Sequence, residues 1–252
     1  MHRDNKANKQ LPIYLLAPQE HVAPSEVLRS ALFGIGSRRE RQQFTEHPIF
    51  TCGETKITYT GQSLDQGDLD IFMAAVRMAY DNGKSFELKC SIYAFQRMLG
   101  LAIGKSSRDR IKASFKRLTS GTIMLKNDRY QYYGHLIDSF SLDKRSDRYD
   151  LTLNPKLSQL FRDGYTRIDW QRRLKIRSDL GKRLQALILS HKAPSKRPQR
   201  YTTETLKKLC GSTDADESRF KTKVRRHMRE FRTDGQVKSW TLQGNILYYT
   251  RT

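Results

Sequence analysis

Apolar and polar positions alternate along this chain in two periods, and the changes between them outline its elements. Ile49–Cys52 and Lys56–Thr60 flank Gly53-Glu54 as a predicted hairpin. From Asp68 to Tyr80 the apolar residues Leu69, Phe72, Ala75, Val76 and Ala79 recur at helical spacing and predict one buried face. A short strand, Ser85–Cys90, comes next. Ser91 then stands as N-cap to a helix over Ile92–Leu99 that Gly100 ends. A basic helix capped by Ser106 or Ser107 runs to about Thr119 and closes at Gly121. Thr122–Leu125 and Tyr130–Gly134 read as a hairpin turning at Asn127-Asp128. The β segments His135–Leu142 and Arg148–Leu153 and a short helix before Gly164 follow. The second half offers a strand (Tyr165–Trp170), one helix (Leu174–Ser190), a loop (His191–Arg200) and a helix Thr203–Leu209 stopped by Gly211. A second basic helix, Glu217–Arg232, and a hairpin across Gly244-Asn245 complete it.

Two stretches share one skeleton. Phe95, Met98, Leu99 and Gly100 have the spacing of Leu206, Leu209, Cys210 and Gly211. Ile111, Phe115 and Leu118 match Val224, Met228 and Phe231, both triplets at i, i+4, i+7. A glycine and a strand follow each: Gly121 before Ile123, Gly235 before Val237. Helix, turn, basic helix and β-hairpin is the order of a winged helix, and it occurs twice. The expected fold is therefore α+β, two tandem winged-helix domains over residues 29–163 and 164–252. Residues 1–28, polar and broken by Pro12, Pro18 and Pro24, are expected to form a flexible arm.

The wheel of each basic helix turns its apolar triplet inward and its cations outward. On the first these are Arg110, Lys112, Lys116 and Arg117, with Lys105, Ser106 and Ser107 at its start suited to a phosphate at a helix N-terminus. On the second they are Arg219, Thr222, Lys223, Arg225, Arg226 and Arg229. Basic residues on a helix are often only its solvated face. Here acidic residues are few on both exposed faces, and the pattern recurs on the helix that a winged fold offers to the major groove. Lys126 and Arg129 at one hairpin tip, and Asn245 near the other, suit either wing contacts or plain exposed turns. Sequence alone leaves open which cations read bases and which hold phosphates.

Charge points the same way. With 47 Lys+Arg against 26 Asp+Glu, the chain carries +21 and favours a polyanionic partner. No apolar run of about 18 residues could span a bilayer, and the N-terminus leads into no signal-peptide stretch. Cys52, Cys90 and Cys210, odd in number and far apart, suggest neither zinc nor a disulfide framework, so a reducing cytoplasm fits. Gly100–Ser106 resembles a P-loop but has three residues between its glycines where four are needed, and it follows a helix. The six histidines lie at no metal-ligand spacing, and none pairs beside a tyrosine as a nicking site would need. Asp68 and Asp70 suit the dipole at a helix start. No catalytic constellation and no cofactor is expected, and the chain reads as a binding protein rather than an enzyme.

Several short stretches resemble the TrfA family of plasmid replication initiators: Arg29–Phe33, Lys56–Gly61, Tyr165–His191 with Trp170 and Ser190-His191, and Leu209–Ser212. The resemblance runs from about Arg29 to the C-terminus. It implies a bacterial, plasmid-encoded protein that binds direct repeats, called iterons, at an origin and helps open it. It also implies recruitment of host replication proteins (sliding clamp, helicase and initiator) and exchange between a homodimer and a DNA-binding monomer. Gln10-Leu11-Pro12-Ile13-Tyr14 resembles the pentapeptide by which some members bind the clamp, which would assign Gln10, Leu11, Ile13 and Tyr14 to that contact. The nearest rival is a winged-helix repressor that binds a palindromic operator as a symmetric dimer. A structural or RNA-binding basic protein without sequence preference stands further off.

Overall fold

The computed structural model describes residues 10–36, 40–143, 145, 148–191, 197–212 and 215–252. Strand β1 (Glu20–Pro24), helix α1 (Ser25–Leu28) and strand β2 (Phe33–Gly34) come first. The hairpin β3 (Gln43–Ile49) and β4 (Lys56–Gln62), then β5 (Leu64–Asp65), lead into helix α2 (Gln66–Asp81). Next come β6 (Glu87–Cys90), α3 (Ile92–Met98) and α4 (Lys105–Ser120). Strands β7 (Thr122–Lys126), β8 (Gln131–Gly134), β9 (Ile137–Asp143) and β10 (Arg148–Leu153) precede helix α5 (Leu157–Arg162). Strand β11 (Tyr165–Asp169) then joins α6 (Trp170–Lys175) and α7 (Asp179–Leu189). The chain closes through β12 (Gln199–Thr202), α8 (Thr203–Cys210), α9 (Glu217–Thr233), β13 (Val237–Gln243) and β14 (Ile246–Arg251).

The repeat expected from the spacing is present: both units share one order of helices and sheet strands, with β7–β8 inserted before the wing of the first. In the first unit α2, β6, α3 and α4 are completed by a sheet of order β6-β10-β9; in the second, α7, β12, α8 and α9 by one of order β12-β14-β13. Gly100 and Gly211 follow the middle helix of each unit with φ near +60° (61° and 60°), a conformation costly for any side chain. Phe115 sits at the centre of the first unit, 5.1 Å from Phe95, 5.6 Å from Phe140 and 6.2 Å from Tyr149 between ring centroids. Val224, Met228 and Phe231 play its part in the second, packed on Leu206, Leu209 and Leu247.

Four expectations are corrected. First, the hairpin after α4 is not the wing. β7 pairs with β4 and β8 with β7, giving a separate sheet of order β3-β4-β7-β8. Ile57 and Tyr59 of β4 are buried and need an apolar neighbour, which Ile123 and Leu125 of β7 supply in register. The wing is the later pair β9–β10, so the match of Gly121 with Gly235 placed it one hairpin early. Gly121 answers a different need, since a Cβ there would come within 2.3 Å of the Tyr59 hydroxyl.

Second, the single helix expected over Leu174–Ser190 is two helices. Ile176 turns extended, and the Ser178 hydroxyl caps α7 by accepting from Gly181 N at 3.0 Å. Third, residues 10–28 are not a flexible arm; residues 1–9 lie outside the described residues. Leu11, Ile13, Val22, Ala23 and Val27 are buried, and β1 pairs antiparallel with β11. Leu11 and Ile13, the apolar pair that clamp binding would insert into a partner, are each 1% exposed, and of the three anchors only Tyr14 is exposed, at 78%. Fourth, β11 and Trp170 belong to the first core, whereas the second cluster begins at Ile176. The expected boundary between residues 163 and 164 therefore falls ahead of a strand that the first unit owns.

Two outcomes follow from this packing. Phe115→Ala should cost about 3–5 kcal/mol of unfolding free energy in urea titrations. One source of acid sensitivity should be His21, which stacks on Trp170 at 3.9 Å with both ring nitrogens unpartnered. Burial, helped by Arg77 and opposed by Asp70, pushes its pKa down to about 3. The folded chain keeps the ring neutral while the unfolded chain protonates it, so its share of stability is whole above about pH 6.5. Below that it falls by about 1.4 kcal/mol per pH unit until about pH 3. His21→Phe should therefore lose about 2 kcal/mol less than wild type between pH 6.5 and 5.

Candidate nucleic-acid interface

Helices α4 and α9 occupy equivalent places in the two units, and each buries one face while leaving cations on the other. Ile111, Ser114, Phe115 and Leu118 face inward on α4; Phe220, Val224, His227, Met228 and Phe231 do so on α9. On α4 the expected contacts divide. Lys105, Ser106 and Lys116 are exposed, Lys112 is half-buried, and Arg108, which the sequence reading passed over, is exposed on the first turn. The cap is not a serine: Gly104 holds the N-cap position with no side-chain hydrogen bond. The Ser107 hydroxyl donates to Ala102 O at 2.6 Å and receives Gln96 Nε2 at 2.6 Å, so it braces the α3–α4 turn. Backbone N–H groups at this start, with Lys105 and Ser106 above them, suit an anionic oxygen.

Two cations assigned to the exposed face of α4 turn inward instead. Arg117 donates to Asp68 through Nη2 at 2.7 Å and through Nε at 3.1 Å, with its side chain 12% exposed. Asp68 also receives Ser114 Oγ at 2.6 Å and Arg41 at 3.2 Å, and it closes a capping box with Asp65. A buried carboxylate is costly unless its lone pairs are filled. Asp68 thus does more than suit a helix dipole: it pins α4 to α2. Arg110 is half-buried, its guanidinium lying against Gly67 of α2.

Helix α9 keeps more of its expected face. Arg219, Thr222, Arg226 and Arg229 are exposed, while Lys223 and Arg225 are half-buried. Asp216 caps the helix by accepting from Arg219 N at 2.9 Å. Arg226 stands 3.8 Å from Glu230 and 3.2 Å from His227 Nε2. His227 is itself bonded to Ser178 Oγ at 2.8 Å and Glu230 at 2.7 Å, and burial lowers its pKa. These three groups were missed, although His227 and Glu230 lie at i, i+3 beside Arg226. His227 and Glu230 together hold the Arg226 guanidinium, and Ser178 fixes His227.

The wings are reassigned with the hairpins. Lys126 and Arg129 belong to β7–β8, where Arg129 shares a groove with Glu26, Glu54 and Asp163, an acidic setting unlike a DNA contact. Arg145 and Arg148 stand exposed on the β9–β10 wing instead. Asn245 in the β13–β14 turn is engaged, its side chain by Lys221 and its carbonyl by Thr203 N at 2.7 Å. Among the described residues no group of His, Cys, Asp and Glu could hold a metal, and no helix is long and apolar enough to cross a membrane. Burial pushes the Cys210 thiol up to about 11 and Cys90 up to about 12, which leaves both unreactive.

The chain thus builds a winged helix twice and carries cations on both second helices. The family model for TrfA protein matches residues 2–251. The chain belongs to the TrfA family. Among solved structures, the TrfA-family chain is similar to domains 2 and 3 of RctB, at 12% identity and TM-score 0.61 over 91% of this chain and 98% of that one. It is also similar to the Pi initiator protein solved in complex with iteron DNA, at 11% identity and TM-score 0.50 over 80% of this chain and 99% of that one. At such identities these likenesses establish a shared fold. No curated protein matches the chain by sequence.

The split of α4 into inward and outward cations has a direct consequence. Arg117→Met should cost about 1–3 kcal/mol of stability, because it removes one of the two cations on Asp68 while Arg41 and Ser114 remain. Lys116→Ala should change stability by less than about 0.5 kcal/mol. Thermal melts of the two variants check this.

Proposed function

We propose that this TrfA-family protein is a sequence-specific replication initiator that binds iterons at an origin. The carrying observation is the same winged-helix unit built twice in one chain, each with an exposed cationic second helix, α4 and α9. The family membership supports the initiator role, and a protein of the same fold, the Pi initiator, was solved with iteron DNA. Each second helix enters a major groove, so one monomer covers about two helical turns of a direct repeat. On α9, Arg226 and Arg229 are the base-reading candidates, and Arg226 is preset by His227 and Glu230. On α4, Lys105 and Ser106 hold a phosphate while Lys116 faces the groove.

The protein acts by binding rather than by chemistry of its own. Helping to open the origin, recruiting the host helicase and initiator, and exchanging between dimer and monomer complete the reading. Docking on the sliding clamp through residues 10–14 is not part of it, because Leu11 and Ile13 are spent on the protein's own core.

Gel shifts on iteron DNA against scrambled DNA over a salt series test the proposal. Expected are tight iteron binding, a preference that survives higher salt, and one monomer per repeat. Equal binding to both DNAs would reduce the protein to a general polyanion binder, and a dimer on a palindrome would make it a repressor. Arg226→Ala should weaken iteron binding by about 1–3 kcal/mol and relax discrimination at one base position; an equal loss on scrambled DNA would demote Arg226 to a phosphate contact.

A further inference from the structure

Between the two winged units the chain leaves α6 at Lys175 and crosses to α7 through Ile176, Arg177 and Ser178. Ile176 leaves the helix with extended backbone, φ −79° and ψ 109°, and its N–H donates to Arg173 O at 3.1 Å. Its side chain packs into the second core. With residue 176 held inward, Lys175 and Arg177 on either side are exposed. Arg173, nearby in sequence, has the opposite fate: it is 0% exposed and paired with Asp70 at 2.7 Å.

Two clefts meet at this crossing. One, of about 650 Å3, lies between the crossing and α9, with Lys175, Arg177, Arg226 and Arg229 in its walls. The other, of about 240 Å3, opens toward α4, with Arg177, Arg110 and Lys182 in its walls. Ile176 and Arg177 line both. Carboxylates are present, but Asp70 is taken by Arg173 and Lys182, and Glu230 by Arg226 and His227. Asp179 and Asp234 are the remaining acidic groups in these walls.

The geometry points to the α6–α7 crossing as a third DNA contact, in which Lys175 and Arg177 grip backbone phosphates between the bases read by α4 and those read by α9. This rests on the reading of α4 and α9 as DNA-reading helices. A cation pair fixed by a buried isoleucine positions the duplex between the two units without carrying sequence information. Its signature is a contribution equal on all sequences, with a salt dependence of about 0.9 per neutralised phosphate.

The test is the Lys175→Gln/Arg177→Gln double variant of the full chain, titrated with iteron and scrambled DNA across a salt series. Both side chains are exposed, so its melting temperature should match wild type. The slope of log K against log salt should fall by about 2, with affinity lost equally on both DNAs and the ratio between them kept. A control pair with the same charge change, Lys156→Gln/Arg162→Gln at α5, should leave the slope in place. An unchanged slope in the first variant, or an equal drop in the control, overturns the proposal. A wild type indifferent to iteron sequence would sink the initiator reading instead, while the slope comparison would still decide the crossing.

Discussion

Two buried carboxylates on one helix organise this molecule. Asp68 and Asp70 of α2 lie two residues apart, which turns them about 200° from each other around the axis. Asp68 receives Arg117 and Ser114 of the first second-helix, together with Arg41. Asp70 receives Arg173 of α6 and Lys182 of α7. The same helix therefore grips the cationic second helix of the first unit and the framework of the second. Removing charge from water is expensive, and these pairs offset that cost only because nearly every oxygen is filled. Their return is orientation: the two units are held against one another through directional bonds rather than through apolar contact alone.

Arg183 completes the junction from the other side. Its guanidinium is buried without a carboxylate and donates to three backbone carbonyls, Leu28, Ser30 and Leu209, at 2.7 to 2.9 Å. One side chain of α7 thus ties the segment after α1 to the end of α8. Burial lowers its pKa, as expected for a cation paid for by dipoles. Both halves of the chain are locked at this point, so the spacing between α4 and α9 is a property of the folded core.

Local periodicity carried much of this into the sequence. The stop glycines Gly100 and Gly211, the i, i+4, i+7 triplets and the cap Ser91 depend on neighbours a few residues away, and such signals survive in one dimension. What failed depended on partners distant in sequence. Arg117 looks solvated on a wheel, and only Asp68, 49 residues back, turns it inward. β7–β8 looks like a wing until β4 claims it. Ser178-Asp179 was a readable helix start inside Leu174–Ser190, but the apolar run across it masked the break. The N-terminal residues read as an arm because their prolines and polar positions hide seven apolar side chains, from Leu11 to Leu28, whose receptor, β11 and α2, lies elsewhere. The duplicated cationic face was legible; which of its members are free was not, because freedom is decided by the other side of the contact.

The pairing of β1 with β11 also sets an order of events during synthesis. Tyr14 N donates to the Tyr165 hydroxyl, 151 residues onward, and Pro24 through Glu20 run in register with Tyr165 through Asp169. On the ribosome, β1 emerges well before β11 and must wait for most of the first unit to be translated before it has a neighbour. Until then Leu11, Ile13, Val22 and Val27 travel as exposed apolar groups on a nascent chain, the condition that invites chaperone capture. Closure of that strand is a late, non-local step. It gives the vectorial chain a point at which two segments distant in sequence become one body.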